Sequence, residues 1–150
     1  MLSVELISQP ARKLVGLELI GPDSPTAIPD LWQAFMPRMG EVARIKDTFG
    51  ASDMTADGKI AYLCGSEVAD FDQIPEGMTG WDVVGGTYAL VKCPSLGEIH
   101  QTIDWFYQDW LPTSDHNAGP GMLEYYPPEF PGNPSFDLLF SVVPRVDSEA

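Results

Sequence analysis

Apolar and polar positions change period several times along this chain, and each change marks an element. Residues 3–7 and 14–20 read as extended segments on either side of Pro10. Residues 21–25, Gly-Pro-Asp-Ser-Pro, form a loop. From Ala27 the period lengthens, and Ile28, Leu31, Trp32, Phe35, Met36 and Met39 fall on one face of a helix. Thr26 stands at its N-cap, Pro29 is tolerated in the first turn, and Pro37 ends or kinks it. Residues 49–52 and 59–68 then read as a hairpin around the turn dipeptide Asp57-Gly58.

An acidic loop over 69–80 leads into a long strand over 81–92, with Gly85-Gly86 suggesting a bulge inside it. Ser95 and Glu98 spell a capping box. The helix it opens carries Leu96, Ile99, Ile103, Phe106 and Trp110 on one face and stops at Pro112. Strands follow near 121–126 and 135–143, separated by a proline-rich turn. The order strand, helix, hairpin is thus written twice, with its joint near residues 70–80. It predicts an α+β fold, a duplicated βαββ with pseudo-twofold symmetry. Two antiparallel half-sheets, each backed by one helix, would leave a central groove between them. The 150 residues suit one domain, with half-repeats of roughly 1–75 and 76–145.

Charge narrows the partners. Eight Lys and Arg against 22 Asp and Glu give a net charge of −14. Phosphate neutralisation needs clustered bases, so nucleic acid is excluded as a direct partner, and docking on anionic lipid is disfavoured. Between Cys93 and Pro144 there is no Lys or Arg, although seven acids lie there. Cys64 and Cys93 sit in apolar runs and read as buried thiols of a reducing compartment. No signal-peptide pattern or membrane-length apolar run is present, which points to the cytoplasm.

The motifs of hydrolases, nucleotide-binding loops and zinc sites are missing, and His100 and His116 lie in different elements. No cofactor or metal is expected. The aromatic inventory of four Trp, five Tyr and seven Phe exceeds what a core of this size requires. Tyr62, Trp81, Tyr88 and Tyr126 occupy alternating strand positions suited to lining a groove. Glu124 is the most informative residue. In Met122-Leu123-Glu124-Tyr125-Tyr126, alternation puts it on one face with Met122 and Tyr126, with no base nearby in sequence. A carboxylate on the inner face is costly unless it is paired, protonated or open to a cavity, and an exposed edge position is the alternative.

Gly85-Gly86-Thr87-Tyr88-Ala89, Trp110-Leu111-Pro112-Thr113-Ser114 and Leu123-Glu124-Tyr125-Tyr126 together resemble the GyrI-like small-molecule-binding domain. This is also the effector-binding domain of Rob- and BmrR-type multidrug-responsive regulators. Residues 10–16, Leu31-Trp32 and residues 62–68 extend the resemblance through the first half. The resemblance implies the duplicated βαββ fold and an aromatic pocket with an acidic residue that recognises lipophilic cations. Glu124 matches that acid, and Tyr62, Tyr88, Trp110 and Tyr126 match the wall. Trp32, Phe35, Trp81, Trp105 and Phe140 complete the candidate ligand-binding set. The helix-turn-helix of the regulators has no counterpart, so the chain resembles a stand-alone effector domain.

Binding of a small amphipathic organic cation is the leading expectation. The resemblance also admits hydrolysis of reactive cyclopropane-bearing compounds, with Glu124 as general base and Tyr126 or Tyr62 assisting. An acidic protein-interaction or inhibitor module is a third reading, and a protein partner or homodimer stays open.

Overall fold

The computed structural model describes residues 2–21, 26–126, 132 and 135–145. β1 (Glu5–Gln9) and β2 (Arg12–Ile20) are separated at Pro10, which has no N–H to give to a ladder. α1 (Ala27–Phe35) follows, and at Met36–Glu41, with Pro37 near its start, the backbone tightens into a 3-10 turn. The Thr26 carbonyl accepts from the Asp30 N–H at 2.9 Å, so backbone rather than hydroxyl serves the first turn. β3 (Arg44–Met54) and β4 (Ile60–Val68) form the hairpin, closed by Gly58 at φ +84°.

The strand expected over 81–92 is two strands, β5 (Thr79–Val83) and β6 (Gly86–Cys93). Gly85 and Gly86 break it rather than bulge it. A Cβ on Gly85 would sit 2.6 Å from the Ala11 nitrogen, so the chain crosses here against the β1–β2 connection. A 3-10 turn (Leu96–Glu98) opens α2 (Ile99–Trp105), which continues as a π turn (Phe106–Trp110) and a 3-10 turn (Leu111–Thr113). The Ser95 hydroxyl donates to the Glu98 carboxylate at 3.0 Å instead of accepting from backbone, so no capping box forms. β7 (His116–Tyr125) starts earlier than its apolar pattern suggests, and β8 (Phe136–Pro144) completes the fold.

All strand pairs are antiparallel and make one eight-stranded sheet in the order β1-β6-β8-β7-β3-β4-β2-β5. The order reads the same from either end once the halves are exchanged, with β3 equivalent to β7 and β4 to β8. The two expected half-sheets are joined along β3–β7 into a continuous surface. Each half also lends a strand to the other: β1 pairs with β6, and β5 pairs with β2.

Both helices lie on one face. Under α1, Val15, Phe35, Tyr62 and Cys64 form one apolar cluster. Under α2, Val91, Phe106, Leu138 and Phe140 form a second. The opposite face carries a third around Leu14, Phe49, Leu63, Tyr88 and Leu123. Successive cross-strand partners Leu17, Cys64, Gly50, Glu124, Leu138 and Val91 make one row across the helix-bearing face. That row puts Glu124 at the seam between the two helix-backed halves.

Candidate functional site

Glu124 is 6% exposed in the middle of the sheet, between Gly50 of β3 and Leu138 of β8. Its Oε1 accepts the Tyr62 hydroxyl at 2.9 Å and the Tyr126 hydroxyl at 2.6 Å. Trp32 Nε1 in turn donates to the Tyr62 oxygen at 2.9 Å, tying α1 to the carboxylate through one phenol. The Trp32 ring stands edge-on to Tyr126 at 5.6 Å and to Phe35 at 6.4 Å. Tyr126 stacks on Phe136 at 4.8 Å. The result is a carboxylate in an aromatic frame built from both halves of the chain.

The space for this carboxylate comes from a missing side chain. A Cβ on Gly50 would lie 2.3 Å from Tyr62 Oη and 2.7 Å from Glu124 Oε1. No side chain larger than hydrogen fits there while the Tyr62–Glu124 bond is in place.

Burial raises the Glu124 carboxyl above its ordinary 4.5, and the two phenol hydrogen bonds pull partly in the other direction. Burial raises the Tyr62 and Tyr126 phenols, and the Glu124 charge adds to this, so both hydroxyls stay protonated donors. Cys64 is pushed up by burial first and by Glu124 second. Among the described residues the ion pairs are Arg12–Glu67, Lys13–Asp82, Arg38–Glu41 and Lys92–Asp137, and none reaches Glu124. Hydrogen bonds to Glu124 among those residues all end on Oε1.

The fold treats the sequence candidates unequally. Glu124, Tyr62, Tyr126, Trp32 and Phe35 come together. Phe140, Trp110 and Trp105 belong to the neighbouring cluster under α2, where Phe106 stacks between Phe140 at 3.9 Å and Trp110 at 5.3 Å. Trp81 and Tyr88 lie on the opposite face. Trp81 sits beside Leu14 and donates to Glu18 at 2.7 Å, and the Tyr88 hydroxyl donates to the Val84 carbonyl at 2.6 Å. Three site residues escape the sequence reading: Gly50, Phe136 and Cys64. Only Gly50 carried a signal, as a glycine inside a strand pattern marks close approach by another group. His100 is exposed, and His116 begins β7.

Known proteins share this architecture. The chain is 29% identical over 149 residues to the transcriptional regulator BrlR of Pseudomonas aeruginosa, a match covering 91% of this chain and 54% of that protein. It thus spans about half the length of that relative. SAV2435, solved bound to tetraphenylphosphonium, superposes with a TM-score of 0.73 at 13% identity, covering 94% of each chain. The integron cassette protein VCH_CASS2 of Vibrio cholerae superposes at 0.66 and 14% identity, covering 95% of this chain and 99% of the other. At such identities the superpositions establish the fold. Residues 5–142 match the model of the Cass2 family, and the chain therefore belongs to this family of integron-associated effector-binding proteins.

Proposed function

We propose that this effector-binding domain takes lipophilic organic cations, with Glu124 as the charge partner and Tyr62, Tyr126 and Trp32 as the aromatic surround. The observation that carries the reading is a buried carboxylate that, among the described residues, accepts two phenol hydroxyls and has no cationic side chain as partner. A guest cation would supply the missing charge. It would also stabilise the ionised carboxylate that burial disfavours. Rings at this spacing contribute cation–π attraction of about 0.5–2 kcal/mol each, and with apolar burial this is enough for micromolar affinity. The absence of Lys and Arg from Cys93 to Pro144 leaves no internal competitor along that stretch of sequence.

The tetraphenylphosphonium bound to SAV2435 supports the ligand class by fold likeness. Burial raises the Glu124 carboxyl and the two phenol donors offset only part of that rise, so a bound cation is what would hold it ionised. The test is a calorimetric titration of tetraphenylphosphonium into wild type and Glu124→Gln. Binding to wild type and at least roughly tenfold weaker binding to the variant supports the reading, at about 1.4 kcal/mol or more. Equal affinity for both proteins overturns it. The same pair assayed for turnover of a cyclopropane electrophile would expose a hydrolytic role.

A further inference from the structure

The two phenols on Glu124 Oε1 reach it by different routes. Tyr126 stands just beyond the end of β7, on the same chain segment as Glu124, and donates at 2.6 Å. Tyr62 belongs to β4 and reaches Glu124 past Gly50 of β3, the strand between the two, donating at 2.9 Å. Its oxygen also accepts from Trp32 Nε1 at 2.9 Å, so indole, phenol and carboxylate form one chain of hydrogen bonds.

The sense of that chain is fixed at its α1 end. A tyrosine hydroxyl both donates and accepts, whereas an indole N–H only donates. With Trp32 donating into the Tyr62 oxygen, the phenol's own hydrogen is turned away from the indole, and Glu124 Oε1 is the acceptor it meets. The indole bond also works against burial and makes the Tyr62 hydroxyl more acidic than it would otherwise be, which strengthens it as a donor. Without the indole, the phenol is free to turn round and accept from a protonated Glu124. A donor to the carboxyl favours its ionised form, and an acceptor favours the protonated one.

The fold does not require this chain. Gly50 pairs with Cys64 on one side and Glu124 on the other, and Glu124 pairs with Leu138, so Cys64 and Leu138 are equivalent in the duplicated halves. The position matching Tyr62 is then Phe136, which is fully buried, has no hydroxyl and stacks on Tyr126. The Trp32 ring is held edge-on to Phe35 and Tyr126 independently of its N–H. Packing is thus satisfied by apolar rings alone, and the indole–phenol bond serves the carboxylate. We infer that Trp32 is a positioning residue of the Glu124 anchor: acting through Tyr62, its indole N–H keeps that phenol turned as a donor and so readies the carboxylate for a cation. The consequence for the ligand rests on the cation reading of Glu124, whereas the positioning itself does not.

Carbon-13 NMR of the Glu124 carboxyl against pH, without ligand, reads the positioning directly. Trp32→Phe keeps a ring but loses the N–H, and its carboxyl should titrate at higher pH than that of wild type. Tyr62→Phe should do the same, and adding Trp32→Phe to it should move the midpoint no further. In calorimetric titrations with tetraphenylphosphonium, Trp32→Phe should bind roughly two- to threefold more weakly at the wild-type midpoint, and the deficit should shrink toward high pH, where both carboxyls are ionised. A loss of equal size at every pH would mark a packing contact only and overturn the inference, as would an unchanged carboxyl midpoint. Should Trp32→Phe fail to fold, the wild-type indole N–H resonance should titrate with the Glu124 midpoint, and a flat response would overturn the inference. Carboxyl midpoints that move as expected in a chain that binds no tetraphenylphosphonium would support the positioning role and refute the cation reading.

Discussion

Replacing Gly50 with alanine tests the construction of the Glu124 site most directly. The new Cβ would arrive 2.3 Å from Tyr62 Oη and 2.7 Å from Glu124 Oε1, roughly 1 Å or more short of ordinary contact for the hydroxyl. Tyr62 cannot move aside freely, because it is 1% exposed and held by Trp32 and Glu124 at 2.9 Å each. Forcing a carbon into a packed interior costs about 1–3 kcal/mol, and each displaced hydrogen bond about 1 kcal/mol more. Gly50 is not among the positive-φ glycines, so alanine recovers about 0.4–1 kcal/mol by restricting the unfolded chain. The net expectation is a loss of about 2–3 kcal/mol, or roughly 5–10 °C in Tm for a chain of this length.

The decisive measurement is a double-mutant cycle with Tyr62→Phe, read by urea unfolding. Removing the hydroxyl removes the worst clash, so Gly50→Ala should cost about 1 kcal/mol or less when the Tyr62→Phe substitution is already present. The coupling should reach about 1–2 kcal/mol, beyond the roughly 0.5 kcal/mol scatter of independent sites. Additive costs would refute the idea that Gly50 makes room for the Tyr62–Glu124 contact.

Other outcomes follow from the same geometry. Because the folded Glu124 carboxyl is raised, its linked contribution to stability is full below the ordinary value of 4.5 and is lost as pH rises through the folded value. Glu124→Gln lacks this loss, so the stability difference, variant minus wild type, should grow with pH in thermal melts. A flat difference would contradict the raised carboxyl. Cation affinity of the wild type should rise with pH over the same window and then level off, as calorimetry at several pH values would show. Trp32→Phe keeps a ring but removes the donor to Tyr62, and should cost about 1 kcal/mol in urea unfolding. Cys64 and Cys93 are buried and free, and burial raises the Cys64 thiol, so a thiol reagent at pH of about 8 should label them only at the rate of opening. Immediate labelling would mean the strands carrying them are accessible.

Much of this was written in local pattern. Period changes located both helices and the strands on either side of them, because side-chain spacing in a helix or strand is a property of a few consecutive residues. Alternation also placed Met122 and Glu124 of β7, and Tyr126 just beyond it, on one face, and that face proved to be the helix-bearing one. The same rule misled at Trp81 and Tyr88. Alternation tells which residues of one strand share a face, but not which face of the sheet that strand turns toward the helices. That choice follows from pairing: Trp81 lies opposite Leu14, and Leu14 belongs to the face without helices.

The break at Gly85–Gly86 was likewise visible as glycine, yet its cause is the approach of Ala11, from the far end of the other half of the chain. By itself the sequence determined two βαββ units, an acidic chain and one carboxylate among apolar residues. Only the tertiary structure joined the halves through β3 and β7, set Gly50 against Glu124, and swung Tyr62 across to hold it. Cross-strand register brings together residues far apart in sequence, and no local period records it.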